Sequence, residues 1–248
     1  MFEAVGNLAG VVGFSAFDVG DHDAAARCFR LSLWCAEQGG SWELRAAALA
    51  DMARHAIHRG RLDDALSLIE FAQVRADRLT ATGRTVIGVL HARLLAMLGR
   101  HDEARAEVDR ADAHFAERQA ASDPPWLAYY DEAEHAGSTA RALVPLALAD
   151  KRPGDAAERL AMAIRLHSDA YPRSRAFSRA RLATLYMTVG DPYEAVALGR
   201  QAVAEAAVLH SRRMNEELHT LMRASERHLA IPEVADLSHC LASATSDV

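Results

Sequence analysis

A short polar break followed by small and apolar residues at helical spacing returns along this chain at nearly even intervals. The segments GDHDAAARCF from Gly20, GRLDDALSLI from Gly60, GRHDEARAEV from Gly99, KRPGDAAERL from Lys151, GDPYEAVALG from Gly190 and AIPEVADLSH from Ala230 align without gaps. Each carries alanine five residues after its first, at Ala25, Ala65, Ala104, Ala156, Ala195 and Ala235. Four residues on come Phe29, Ile69, Val108, Leu160, Gly199 and His239, and three further come Ser32, Ala72, Ala111, Ala163, Ala202 and Ala242. Steps of four and three trace one face of an α-helix. Glycine at the break suits the left-handed residue that closes the preceding helix. Each break therefore joins two helices, and the small residues let that pair approach closely.

The first residues of the segments lie 40, 39, 52, 39 and 40 apart. Regular spacing of this kind marks a stack of helical hairpins, with a unit longer than the 34 residues of ordinary tetratricopeptide repeats. The pattern predicts first helices over 2–19, 42–59, 82–98, 125–150, 173–189 and 211–229, and second helices over 21–38, 62–78, 101–118, 154–169, 192–210 and 232–243. The long interval places an insertion of about a dozen residues near 119–130, where SDPP supplies a turn signal. Pro125, Pro192 and Pro232 fall in first turns, where proline is tolerated, whereas Pro145 should kink its helix. The expected fold is all-α: one domain over 1–248, a right-handed superhelical solenoid of about six tetratricopeptide-like hairpins. Its units run 2–38, 42–78, 82–118, 125–169, 173–210 and 211–243.

Composition agrees with helices. Half of the residues are hydrophobic, a quarter charged and only 6% aromatic, a balance that suits closely packed helices better than sheets. Lys151 is the sole lysine, so basic residues are almost all arginine. With a formal charge of −6 and no run of five basic residues, the chain lacks the footprint of a nucleic-acid binder. Cys28, Cys35 and Cys240 form no CxxC, and an odd count argues against a disulfide framework. A reducing, cytoplasmic setting follows. The uncharged stretch 4–17 follows Glu3 rather than a basic segment, unlike a signal peptide, and no membrane span is expected.

FDVGDHDAAARCFRLSLWCAE, MARHAIHRGRLDDALSLIEFA, DPPWLAYYDEAEHAG and RSRAFSRARLATLYMTVGDPYEAVALGRQAV resemble the C-terminal tetratricopeptide-like region of actinobacterial helix-turn-helix (XRE-type) transcriptional regulators. The likeness spans nearly the whole chain. It implies an array that senses a ligand or holds a partner, while the DNA-binding module that precedes such arrays is not carried over to these residues.

Solenoids of this type put the first helix of each hairpin on the concave wall. Turn position places Phe14, Phe17, Asp18, Arg54, His58, Arg93, Met97, Arg141, Thr184 and Met187 on or near that wall. Arg54 and Arg93 each lie six residues before a turn glycine, so stacking should align them. Guanidinium forks match carboxylates, which makes an extended peptide, a protein segment or an anionic small molecule the expected occupant; pairing with neighbouring acids such as Asp51 is the competing reading. Homodimerisation is left open, and no cofactor is expected. The competing class is a metal-dependent or other enzyme built on this scaffold, of the kind a natural-product pathway could use. Glu132 with His135, and Glu216 with His219, are ExxH pairs of the type found in di-iron bundles, and Asp51, His55 and His58 share a helix face. Such residues on a repeat helix are read as satisfied or solvated rather than as ligands. Trp126, Tyr129 and Tyr130 in the insertion read as a cap on the third hairpin, with a rim of the partner site as the alternative.

Overall fold

The breaks in the hydrophobic pattern become tight reversals. At the first, Gly20 adopts φ 87°, and the amide of Asp21 donates to the carbonyl of Ala16 at 2.9 Å. The same closure joins Arg61 to Ala56, Arg100 to Leu95 and Arg152 to Ala147, which is the Schellman pattern that satisfies the last carbonyls of a helix. Lys151 performs the glycine's task in the fourth unit with φ 56°. Side-chain caps open the helices: Asp21 accepts from the amide of Ala24, Ser41 from Leu44, Thr80 from Gly83, Asp131 from Glu134 and Ser211 from Met214.

The computed structural model describes residues 1–209 and 211–246. Among them it shows twelve α-helices and no strand: α1 (Phe2–Val19), α2 (His22–Gly39), α3 (Trp42–His58), α4 (Leu62–Gln73), α5 (Ala81–Met97), α6 (His101–Ala116), α7 (Glu132–Ala149), α8 (Gly154–Leu166), α9 (Pro172–Val189), α10 (Pro192–Ala206), α11 (Arg212–Ser225) and α12 (Pro232–Ser246). Consecutive helices pack in pairs, α1 with α2 through to α11 with α12. The all-α expectation and the hairpin pairing are therefore met.

The chain divides into two compact units, Met1–Tyr130 and Asp131–Val248. In the first, α3 packs on α2 and α1, and α5 packs on α4 and α3. Phe29 is fully buried beside Phe17 and Ala25. Gly13 makes room for it, since a Cβ there would stand 2.6 Å from the Phe29 ring. A second cluster runs from Leu49 and Ala53 through Ile69 to Ile87 and Leu94. In the second unit, α9 packs on α8 and α7, α11 on α9 and α10, and α12 on α10 and α11. Its core joins Phe177, Met187, Met214, Leu218, Leu221, Leu237 and Leu241. Full burial of one such side chain contributes roughly 1.5–3 kcal/mol.

Three departures from the predicted helices have local causes. The helix expected over 125–150 breaks into a 3₁₀ turn, Pro125–Leu127, and α7, because Leu127 and Tyr130 bury against Val86 and Phe115 before Asp131 caps a new helix. Pro145 lies within α7, which continues to Ala149. The helix expected over 62–78 ends at Gln73; Arg75 turns left-handed at φ 63°, and a 3₁₀ turn, Ala76–Arg78, leads to buried Leu79. The sixth repeat is out of register with the alanine alignment: Val234, Leu237 and Leu241 are buried, whereas Ala235 is only partly so and His239 and Ala242 are exposed. The larger side chains win the core face because they bury more apolar area. His210, the predicted end of the fifth second helix, lies outside the described residues.

Candidate functional site

The first helices carry two concentrations of polar chemistry, one in each unit. In the first unit, the C-terminal ends of α1 and α3 and the start of α2 bring together Phe14, Phe17, His22, His55 and His58. The Phe17 ring meets His58 edge-on at 5.0 Å and His55 at 5.4 Å. A ring nitrogen of His55 lies 3.2 Å from one of His22, so one donates and the other accepts. Burial holds the His55 imidazole below its ordinary range, and the nearby His22, Arg61, Arg59 and His58 add to that effect. A turn earlier on α3, Asp51 accepts a 2.8 Å bond from Arg54. Burial pushes the Asp51 carboxyl up to about 6 against the charge and hydrogen bond of Arg54, which lower it.

Of the predicted wall, Phe17, Asp18 and Met187 are buried. Apolar core clusters take Phe17 and Met187 inside, and all three side chains present little surface to a partner. Phe14, Arg54, His58, Arg93, Arg141 and Thr184 are partly exposed and Met97 is exposed. Phe14 and His58 join the aromatic cluster around Phe17. Arg54 engages Asp51, the acid that the competing reading named. The Thr184 hydroxyl donates to its own helix at the Ala180 carbonyl.

In the second unit, Arg181 of α9 donates through Nε and Nη2 to Oε1 of Glu217 on α11 at 3.0 and 2.8 Å. Nη2 of Arg141 on α7 lies 4.0 Å from the same oxygen. The guanidinium carbons of Arg181 and Arg213 sit 5.1 and 5.3 Å from the centre of the Phe177 ring, within cation–π range. Three successive first helices thus meet at one carboxylate, with an aromatic ring beneath two of the cations. Beside it, Arg175 and Arg179 of α9 reach Glu205 of α10.

Sequence reasoning found Arg141 but missed Phe177, Arg181, Arg213 and Glu217. The expected wall spans several turn positions, and on its arginine row through Phe14, Arg54 and Arg93 the equivalents in the second unit are the uncharged Pro145 and Thr184. The available signal was the 40-residue spacing of Arg141 and Arg181, about one turn nearer the helix N-termini.

The aromatic insertion folds onto α5 and α6. Tyr130 and Leu127 are buried, Phe115 meets Tyr130 at 6.1 Å, and Asp123 accepts from the Thr82 hydroxyl at 2.7 Å. Of the ExxH pairs, Glu132 and Glu216 are exposed while His135 is buried. Among the described residues, no group of three or more His, Cys, Asp or Glu side chains is arranged to hold a metal ion. No protein-family model matches this chain, and no curated protein matches it.

Proposed function

We propose that the chain is a partner-binding helical array of the tetratricopeptide kind, a right-handed superhelix that serves as the sensing or scaffolding region of a cytoplasmic regulatory system. The observation that carries the binding role is the meeting of Arg141, Arg181 and Glu217 from three successive first helices, with Arg213 and Arg181 against Phe177. First helices form the concave wall in arrays of this kind. A carboxylate on a peptide or protein segment would compete with Glu217 for guanidinium groups that are already oriented, and an adjacent apolar side chain would rest near Phe177. Preorganised forks of this sort select carboxylates in bidentate geometry. The row of Phe14, Arg54 and Arg93 is the corresponding proposal for the first unit, with Asp51 in the competing role. The resemblance to regulator arrays supports the regulatory setting, and the negative net charge supports a protein or peptide occupant over duplex DNA.

The test is binding of a fluorescent array of Glu- and Asp-containing peptides, followed by titration of those retained. Arg141→Ala with Arg181→Ala should weaken retained peptides by about 1.5–3 kcal/mol for each charge-assisted bond lost, and affinity should fall with salt. Arg54→Ala with Arg93→Ala asks the same question of the first unit. If both double variants bind as tightly as the parent, the arginine wall is not the binding surface. In gel-shift titration at physiological salt, the chain should not retard duplex DNA in a sequence-dependent manner.

A further inference from the structure

Two junctions of the first unit are built alike and filled differently. α3 packs on the hairpin of α1 and α2, and α5 packs on the hairpin of α3 and α4. The second junction is closed at its turn end by Ile57, Leu62 and Leu94, which belong to one apolar cluster, with Met97 three residues further along α5. In the repeat register the same positions of the first junction hold Phe17, His22, His55 and His58. Three histidines thus stand where apolar side chains serve one repeat later, and His55 takes the place of a leucine that is fully buried.

What histidine adds is a proton. The His55 ring, 7% exposed, lies 5.4 Å from Phe17 and 5.2 Å from His22, and the His22 ring lies 5.4 Å from that of His58. The 3.2 Å contact between ring nitrogens of His55 and His22 needs one nitrogen that carries hydrogen and one that is bare. Two neutral rings meet that need, and so does one imidazolium beside a neutral ring. Two imidazoliums do not. Both facing nitrogens then carry hydrogen, and two like charges repel across a half-buried contact. Buried His55 cannot carry its charge to water without parting α3 from α1 and α2.

The surrounding charges set the direction. His22, Arg61, Arg59 and His58 all oppose a proton on His55, which burial already disfavours. Asp18 ends α1, and Asp21 and Asp23 open α2, next to the cluster along the chain. Asp63 and Asp64 open α4, where Asp64 lies 3.4 Å from Arg61. α5 carries Arg84, His91 and Arg93, of which the first two approach Glu117 and Glu107. On α3 itself Asp51, paired with Arg54, takes up its proton near 6 and so acts in the opposite sense, favouring the folded junction in acid. At the far end of the junction Leu44 fills the space that Gly6 leaves, since a Cβ there would stand 2.7 Å from it. Acid does not change that contact, so any release is confined to the turn end.

We propose that His22, His55 and His58 form an acid-sensitive latch, which holds the end of α3 on the first hairpin while His22 and His55 share one hydrogen and releases it when both rings are protonated. The latch works whatever the arginine wall binds.

Hydrogen exchange read by mass spectrometry on the full chain tests it, at about pH 7.5 and about pH 5, with rates corrected for the intrinsic pH dependence of amide exchange. An Asp51→Asn background removes the opposing titration. Peptides from 22–29 and 52–58 should lose protection about tenfold or more in acid, since each extra proton bound by the open form shifts the equilibrium up to about tenfold per pH unit. His22→Leu with His55→Leu, which installs the residues of the second junction, should abolish that loss. His22→Gln, which keeps a hydrogen-bonding group but cannot become charged, should reduce it. Unchanged protection at the lower pH overturns the proposal, as does an equal loss in the double-leucine variant or a loss spread evenly over both units. If the double variant lacks the parent's helical content, His22→Gln decides: a loss as large as the parent's overturns the latch.

Discussion

The first helices α1 and α11 show different chemistry to solvent. α11 is sharply two-faced: Met214, Leu218 and Leu221 are fully buried, while Arg212, Glu216, Thr220 and Arg223 face water. α12 likewise exposes Glu233, Asp236 and His239. α1 instead exposes Val5, Leu8, Val11 and Val12, whose counterparts in α11 in the repeat register are Asn215, Leu218, Leu221 and Met222, while Phe2, Gly6, Gly10 and Gly13 stand where α11 has Arg212, Glu216, Thr220 and Arg223. The same apolar residue types thus lie in the core in α11 and on the surface in α1, and the neighbouring helices decide which.

The strongest test of this contrast compares truncations on the two helices. Leu221→Ala should cost about 2–5 kcal/mol in urea unfolding, since the site is enclosed by other core side chains. Leu8→Ala should change stability by less than about 0.5 kcal/mol, because Leu8 is 63% exposed. Equal costs at the two sites would break the comparison.

A smaller effect separates the hairpin interiors by pH. Asp51 titrates near 6 in the fold against an ordinary value of 3.8, so the folded state holds a proton that the unfolded state has released. That favourable proton is fully present below about 4 and lost as pH rises through 6, a change on the order of 3 kcal/mol. Asp51→Asn should therefore gain stability relative to the parent at pH 8 compared with pH 4 in paired thermal melts. His55 acts in the opposite sense. Its lowered pKa means the fold favours the neutral ring, so its stabilising contribution is present above about 6.5 and lost on acidification below that.

In the second unit, Glu217→Gln removes the carboxylate that Arg181 grips and Arg141 approaches. Unfolding free energy should fall by about 1–3 kcal/mol, and the loss should shrink in high salt. The smallest expected change is a gain: Lys151→Gly relieves a left-handed lysine at φ 56° and should stabilise by about 0.5–1 kcal/mol after glycine's own entropic cost. Chemical denaturation of the pair would show it.

Much of this was legible from periodicity. The Ala25, Phe29 and Ser32 face and its counterparts through the fifth unit are buried as the alignment implies, because steps of four and three have one structural meaning in a helix. The turns are less uniform than they read. Gly20, Gly60 and Gly99 take positive φ, but Gly190 does not; a Cβ at Gly190 would instead stand 2.8 Å from the Tyr186 ring. A glycine in an alignment can thus answer to backbone conformation or to crowding, and sequence does not distinguish the two.

By itself, then, the sequence determined the helices, their pairing and the faces that pack within a hairpin, since these follow from contacts between residues close along the chain. Which arginines meet, and at which acid, was decided by tertiary structure: Arg141, Arg181 and Glu217 belong to different hairpins, and their convergence depends on how far each helix slides and turns against the next. The standing of α1 was decided there as well. Leu8 and Leu221 are both leucines on first helices, yet the neighbours that the fold supplies leave one 63% exposed and bury the other completely.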